Sequence, residues 1–145
     1  MERRFEYPAK IEQDLAGFYL VTFPDFPEAA TDARSPDTAL AEAADCLEEA
    51  VAGRMKRGEA IPRPSPANAG TRSITLSALH ALKAALYMAL RDARVSQAEL
   101  GAKLGKDERE VQRLLDPKHA TPVRSIEAAL RAIGTRLQIV VEDAA

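Results

Sequence analysis

Two helix-start signals on either side of a glycine are the feature that most constrains how this chain can fold. In SQAELGAKLGKDEREVQRLL, residues 96–115, Ser96 opens the first half and Asp107 opens the second. Each is followed three positions later by a glutamate, as in a capping box, where the first side chain accepts a hydrogen bond from a free N–H group of the first helical turn. Gly105 lies between the two signals, and glycine adopts the positive φ of a sharp corner at little cost. The stretch therefore predicts two short helices joined by a tight turn.

A capped helical hairpin of this kind is the outline of a helix-turn-helix, whose second helix normally enters a DNA groove. Here the second helix opens with Asp107-Glu108-Arg109-Glu110, three acids against one base, although DNA is a polyanion. The capping pattern gives structural roles to Asp107 and Glu110, so only Glu108 remains as an acid that faces a ligand. Because a glutamate can accept a hydrogen bond from cytosine N4, that one acid is compatible with a helix that reads bases.

The exposed face of the second helix carries residue types that suit DNA. Arginine matches guanine, and lysines and arginines near helix ends match phosphates. The candidate base contacts are Glu108, Arg109, Gln112 and Arg113, and the candidate phosphate contacts are Lys103, Lys106, Lys118 and Arg124. A face rich in arginine and glutamate is also typical of helices that meet only solvent, so the residue pattern by itself leaves both interpretations open.

Charge is divided unequally along the chain, whose net charge is −2. Residues 1–70 hold 8 lysines and arginines against 13 acids, and residues 71–145 hold 12 against 9. The front half therefore carries a net charge of −5 and the back half a net charge of +3. An acidic unit suits a basic protein partner, whereas a basic unit suits a phosphate backbone.

The composition, with 46% hydrophobic and 29% charged residues, predicts a folded protein of one domain or two small ones. No apolar run approaches the length of a membrane helix, and MERRFEYPAK at the start lacks the apolar core of a signal peptide. One cysteine, Cys46, excludes an internal disulfide and most zinc sites. We therefore expect a cytoplasmic protein with no membrane partner, no metal and no cofactor.

Residues 1–60 predict a small antiparallel sheet covered by one helix. The predicted strands, of which the first two form a hairpin, cover residues 4–13, 18–23 and, more weakly, 29–33. PDFP at residues 24–27 ends the second strand, because proline cannot donate to a ladder. Ser35 as N-cap and Pro36 at the first helical position start an amphipathic helix that runs to about Arg57.

A connector and a helical unit follow. Residues 61–76 contain the proline-rich linker IPRPSPANAG and the short segment RSITL, which is expected to return to the sheet as a strand. Residues 77–145 predict four helices, namely 77–94, the two of the hairpin and one that Pro122 opens and Gly134 ends. Alternating apolar residues then predict a strand at 135–142, which needs an edge to join: its twin in a dimer, or the first sheet. The fold class is α+β.

Two long segments resemble one protein family. YPAKIEQDLAGFYLVTFPDFPEAATDARSPDTALAEAADCLEEAV resembles the N-terminal domain of HicB-type antitoxins, with Tyr-Pro-Ala, an acidic turn with glycine, a Val-Thr-Phe-Pro-Asp strand end and an amphipathic helix. LKAALYMALRDARVSQAELGAKLGKDEREVQRLLDPKHATPVRSIEAALRAIG is similar to the Xre-like helix-turn-helix that one branch of that family carries. The order of the two, with the proline connector between them, is more specific than either motif alone. The sequence departs from the family at Glu28-Ala29-Ala30, where Gly-Cys is common.

The resemblance implies an antitoxin that neutralises a HicA-type RNA-cleaving toxin and represses its own operon by binding operator DNA. It implies a partial ribonuclease H-like fold for residues 1–60, whose sheet and helix would contact the toxin, with Tyr19, Phe23, Asp25 and Phe26 as candidates. By analogy with Xre-like repressors, Gln97 would contact a phosphate, and Glu108, Arg109 and Arg113 fall where such repressors read bases. Because one helix-turn-helix reads only a few base pairs, we expect a homodimer or higher even oligomer, held partly by residues 135–142.

Two other interpretations compete with this one. An enzyme would use Asp14, Asp25, Glu28 and Asp32 as metal-binding carboxylates. Turns and strand ends are normally rich in aspartate, however, and no histidine or lysine accompanies these four, so we expect no catalysis. A stand-alone helix-turn-helix regulator would instead sense a ligand or protein through its N-terminal domain. Co-expression with the small basic protein encoded beside the gene distinguishes that regulator from an antitoxin.

Overall fold

The structure is a computed structural model that describes residues 1–144. Its first part is a four-stranded sheet in the order β3-β2-β1-β4, in which every neighbouring pair is antiparallel. The strands are β1 (Glu6–Gln13), β2 (Tyr19–Phe23), β3 (Phe26–Ala33) and β4 (Arg72–Thr75). The predicted hairpin of the first two strands and the predicted returning strand are confirmed, and β4 pairs with β1 at the edge of the sheet.

Short turns connect the strands of both hairpins, and in the first one a side chain stabilises the turn. Asp14 Oδ1 accepts hydrogen bonds from the backbone N–H groups of Ala16 and Phe18, both at 2.9 Å, and closes the β1–β2 turn. Between β2 and β3 only residues 24–25 form a turn. The prediction that PDFP ends a strand therefore holds for its first half, whereas Phe26 and Pro27 already belong to β3. Pro27 is tolerated because β3 is an edge strand, where a missing N–H costs little.

Helix α1 (Pro36–Lys56) covers one face of the sheet. The predicted start is confirmed, since the Ser35 hydroxyl accepts from the N–H of Thr38 at 3.2 Å and Pro36 occupies the first turn. Its buried residues are Ala39, Ala43, Leu47 and Val51. They pack against Tyr7, Val21, Phe23 and Phe26 of the sheet to form the first core.

The connector lies against the sheet. The Tyr7 hydroxyl donates to the Pro62 carbonyl oxygen at 2.7 Å, and Ile61 is buried in the first core. Ser65 donates to the carboxylate of Asp25 through its backbone N–H, at 2.9 Å, and through its hydroxyl. The proline-rich segment is therefore extended but fixed at two points.

Four helices follow, as predicted: α2 (Ala78–Ala93), α3 (Gln97–Leu104), α4 (Glu108–Leu115) and α5 (Val123–Ala132). Their second core is built from Leu86, Leu90, Leu100, Val111, Leu114, Ile126 and Leu130. Helix α2 also contributes Ala84 and Met88 to the first core. One helix therefore belongs to both cores.

The prediction of a strand at 135–142 is wrong for the single chain. Residues 135–144 form neither helix nor strand, and neither edge of the sheet pairs with them. Leu137 packs against the second core, but Ile139, Val140 and Val141 are 77%, 78% and 88% exposed. A β-strand forms only through hydrogen bonds to a neighbouring strand, and neither edge strand of the sheet pairs with this segment.

None of the helices within residues 1–144 combines the length and the apolar content needed to cross a membrane.

Candidate nucleic-acid interface and partner surface

The α3–α4 hairpin is built by the caps that the sequence indicates. Ser96 Oγ accepts from the N–H of Glu99 at 3.0 Å, and Asp107 Oδ1 accepts from the N–H of Glu110 at 2.9 Å. Gly105 has φ +66°, the left-handed conformation that the corner requires. The predicted N-cap hydrogen bonds of Ser96 and Asp107 and the predicted corner are therefore confirmed.

A second glycine, which the sequence analysis passed over, sets the distance between the two helices. A Cβ on Gly101 would lie 2.8 Å from the carbonyl oxygen of Lys106 and 3.3 Å from Cγ2 of Val111. The Gly101 carbonyl also accepts from the N–H of Lys106 at 2.9 Å. Only a residue without a side chain allows α3 to approach the start of α4 this closely.

The predicted base-contact residues share one exposed surface. Glu108, Arg109, Gln112 and Arg113 are all exposed on α4, opposite its buried Val111 and Leu114. Gln112 Nε2 lies 3.4 Å from Glu108 Oε1, so part of the remaining acidic charge is engaged within the helix. The other acids serve the fold: Asp107 caps α4, and the Glu110 carboxylate lies 3.6 Å from Lys106 Nζ.

The predicted phosphate contacts lie on α3, beside the ends of α4 and on α5. A shallow groove between α3 and the start of α4 is lined by Gln97, Lys106 and the predicted base contact Glu108. Lys118 follows the end of α4 and Arg124 lies in the first turn of α5; both are exposed. Lys106 and Lys118 therefore stand directly before and shortly after the helix that carries the two exposed arginines.

One buried lysine next to this surface was missed. Lys83 of α2 is 0% exposed, and its Nζ donates to the Arg113 carbonyl oxygen and to Thr121 Oγ1, both at 2.5 Å. Burial lowers the pKa of Lys83 to about 8, although the negative charge of Asp116 raises it in part. The signal was present in the sequence, because Lys83 stands four residues after Leu79, on the apolar stripe of a helix.

The structure places the four predicted toxin-contact residues mostly in or against the first core. Phe23 and Phe26 are 2% and 0% exposed, and both belong to the first core, so they offer no surface to a partner. Tyr19 is half-buried and packs against the same core, and Asp25 holds the connector through Ser65. The error arises because strand periodicity shows which residues share a face but not which face α1 covers.

The uncovered face of the sheet carries an apolar residue between acids. Leu20 is 40% exposed, and its register partners are Glu12 on β1 and Asp32 on β3, both exposed. Lys10 and Glu12 also pair on this face at 2.9 Å. Glu12, Leu20 and Asp32 form a row across three strands, the open-face row.

The four carboxylates of the enzyme interpretation do not converge. Asp14 caps a turn, Asp25 holds Ser65, and Asp32 lies on the open-face row. Within residues 1–144 no three histidine, cysteine or acidic side chains come together as a metal site.

The fourth carboxylate, Glu28, makes an ion pair where the sequence departs from the family pattern. Arg54 Nε and Nη2 donate to the two Glu28 oxygens at 2.6 and 2.8 Å. These hydrogen bonds lower the pKa of Glu28 to about 2. The same guanidinium lies 4.8 Å from the centre of the Phe26 ring, so the pair joins α1 to β3.

Helix α2 fixes the helical unit to the first core. Tyr87 donates its hydroxyl to the Glu59 carbonyl oxygen, and Arg91 donates to that of Gly58, both at 2.7 Å. Arg3 and Asp92 form an ion pair at 2.7 Å. These polar contacts surround the apolar contact of Ala84 and Met88 with the first core.

The fold defines the class of the protein: an α+β chain with a four-stranded antiparallel sheet under one helix, followed by four helices. A family model described as a HicB-like antitoxin of bacterial toxin–antitoxin systems matches residues 6–85. The chain belongs to this family of antitoxins.

Relatives extend the similarity over nearly the whole chain. Antitoxin HicB of Escherichia coli is 33% identical over 92% of this chain and 97% of its own length. Antitoxin HicB 2 of Photorhabdus laumondii is 36% identical, over 97% and 99%. Antitoxin HicB of Pseudomonas fluorescens is 29% identical, over 97% and 96%.

Proposed function

We propose that this protein neutralises a HicA-type RNA-cleaving toxin and represses its own operon by binding operator DNA. Residues 1–60 contact the toxin, residues 61–76 connect, and residues 77–145 bind DNA and dimerise. Membership of the antitoxin family carries the first half of the proposal. The α3–α4 hairpin carries the second half, because its fully capped second helix presents two arginines to solvent.

The electrostatics of α4 support DNA binding through a helix-turn-helix. Asp107 caps the helix and the Glu110 carboxylate lies beside Lys106, which leaves Arg109, Arg113 and Gln112 beside Glu108 on the reading face. The N-terminal turns of a recognition helix contact bases, and all four of these residues lie in α4. Lys106 before α4 and Lys118 after it would meet the backbone phosphates of a duplex that α4 enters.

Operator binding is tested by titrating the duplex upstream of the gene with variants. Arg109→Ala and Arg113→Ala should each weaken specific binding by roughly 1–3 kcal/mol. Arg131→Ala is the matched control, an exposed arginine on α5 outside the predicted interface. Equal affinities for all four proteins would refute the assignment of α4 as the reading helix. Glu108→Gln tests whether the last free acid selects a base or only repels phosphate.

Toxin binding is assigned to the open-face row. A partially exposed leucine between two acids suits a basic protein, and the front half of the chain is acidic. Leu20→Arg should abolish relief of toxicity when this protein is co-expressed with the small basic protein encoded beside its gene. Arg109→Ala should leave the relief intact. If the two proteins never co-purify, the antitoxin function is refuted for this pair.

Dimerisation is assigned to the C-terminal segment. Leu137 fixes the segment to the second core, whereas Ile139, Val140 and Val141 are left exposed. Two copies of this segment, paired as antiparallel strands, would give each other the pairing partner that neither edge of the sheet provides. Deleting residues 135–145 should therefore lower both the molar mass seen by light scattering and the operator affinity. A truncated monomer that binds the full operator as tightly as the intact chain would refute this assignment.

A further inference from the structure

Lys83 is the only charged residue within residues 1–144 that is fully buried. Burying a charge is costly unless hydrogen bonds replace its water shell. Here the replacements are the Arg113 carbonyl oxygen and the Thr121 hydroxyl, both at 2.5 Å. With a pKa of about 8, the side chain is still mostly protonated at neutral pH and donates as an ammonium. The lysine therefore has a defined task at the end of α4.

That task is to cap α4 from a neighbouring helix. The last four carbonyls of a helix have no partner within it, and Arg113 supplies one of these in α4, which ends at Leu115. A positive charge at this end also complements the helix dipole. The Thr121 hydroxyl donates to the same carbonyl oxygen at 3.2 Å. Lys83 and Thr121 therefore both donate to the carbonyl oxygen of Arg113.

The same contact holds the loop that follows α4. Thr121 stands immediately before Pro122, the N-cap of α5, and His119 Nδ1 lies 2.9 Å from its hydroxyl oxygen. Asp116 turns the start of the loop by accepting from the N–H of Lys118 at 2.9 Å. One buried ammonium therefore joins the end of α4 to the end of the loop, and Lys118 lies between these two fixed points.

We propose that Lys83 is a positioning residue of the DNA interface. By holding the Arg113 carbonyl it sets the direction of the last turn of α4, from which the Arg113 side chain projects. By holding Thr121 it sets where Lys118 and Arg124 meet phosphates. This inference rests on the proposed operator binding, and it extends that function to a residue that never touches DNA.

Lys83→Met tests the proposal, because methionine keeps an unbranched, flexible side chain that fills most of the same space and lacks the Nζ donor. Amide hydrogen exchange of the free protein should accelerate in residues 113–121 and stay unchanged in α1. Affinity for the upstream duplex should fall about tenfold, as expected when a buried acceptor loses its partner and the site shifts. The slope of log affinity against log salt should also fall by roughly 1, because a phosphate contact is lost. Relief of toxicity should match wild type.

Thr121→Val is the milder companion, since it removes one hydroxyl and leaves the contact between Lys83 and Arg113. It should accelerate exchange in residues 116–121 and weaken operator binding about threefold. If Lys83→Met fails to fold, the exchange rates and the operator affinity of Thr121→Val test whether this contact positions the interface.

Wild-type exchange in residues 113–121, or wild-type affinity and salt slope in a folded variant, would overturn the role of Lys83. A wild-type protein that bound no upstream DNA would overturn the operator function, and the positioning role with it. The two failures are therefore distinguished by the wild-type titration.

Discussion

Replacing Gly101 by alanine should destabilise this protein, whereas the same replacement at Gly53 should stabilise it. Both glycines lie inside helices, Gly101 in α3 and Gly53 in α1. In a helix interior alanine is favoured over glycine by roughly 0.8–1.0 kcal/mol, because glycine loses more backbone freedom on folding. The two positions differ in the neighbour that the new Cβ meets.

At Gly101 that neighbour cannot move alone. The Cβ would lie 2.8 Å from the backbone oxygen of Lys106 and 3.3 Å from the buried Val111 side chain. Helices α3 and α4 would have to separate, and overpacking of this kind costs about 1–3 kcal/mol. After the gain in helix propensity, we expect a net loss of roughly 1 kcal/mol in the free energy of unfolding.

At Gly53 the neighbour is the end of a flexible side chain. The Cβ would lie 2.9 Å from Arg57 Nη1. Arg57 is exposed and pairs with Glu59 only at the surface, where solvent screens the ion pair. The guanidinium can rotate away at small cost, so we expect a net gain of about 0.5 kcal/mol.

Urea unfolding followed by circular dichroism measures both changes. The two variants should have midpoints on opposite sides of the wild-type midpoint, with similar m-values. Gly101→Ala should also weaken the proposed operator binding, since it changes how α3 packs against α4. A Gly101→Ala midpoint at or above wild type would refute the close approach of the two helices. A Gly53→Ala midpoint below wild type would refute the reasoning about Arg57.

Three further results are expected. Leu100→Ala, at a fully buried position of the second core, should lower the free energy of unfolding by about 2–5 kcal/mol, measured in urea. Glu28 has a pKa of about 2 against an ordinary 4.5, so its pair with Arg54 contributes fully above pH 4.5 and is lost as the pH falls towards 2. Acid titration of Glu28→Gln should therefore show a shallower loss of stability than wild type in this range, and parallel curves would contradict the pair. Lys83 has a pKa of about 8 against an ordinary 10.5, so the unfolded chain binds the extra proton between these values and stability should rise with pH from 8 towards 10. The rise should be absent in Lys83→Met, and a rise of equal size in that variant would assign it to other groups.

The helices and their caps could be predicted because capping is local. Ser35, Ser96 and Asp107 each form their bond with an N–H group three residues ahead, so a short window of sequence contains both partners. The β1–β2 hairpin is also local, because Asp14 and Gly17 build its turn. These elements required no knowledge of the rest of the chain.

The features that sequence analysis missed depend on distant partners. The segment 135–142 has the alternation of a strand, but it pairs with neither edge of the sheet in its own chain. Phe23 and Phe26 are buried because α1 lies on their side of the sheet, which periodicity does not specify. Lys83 interrupts an apolar stripe, and the carbonyl it binds lies thirty residues away.

The membership of α2 in both cores has a consequence for exchanging parts between relatives. A piece ending at residue 76 would leave uncovered the apolar surface that Ala84 and Met88 fill. A piece starting at residue 77 would carry those two side chains into water, together with the hydroxyl of Tyr87, which would lose its carbonyl partner on Glu59. Chimaeras within the family should therefore fold only when α2 is matched to both of its neighbours. An exchange designed to alter the proposed toxin contact or the proposed operator contact would therefore have to keep α2 compatible with both cores.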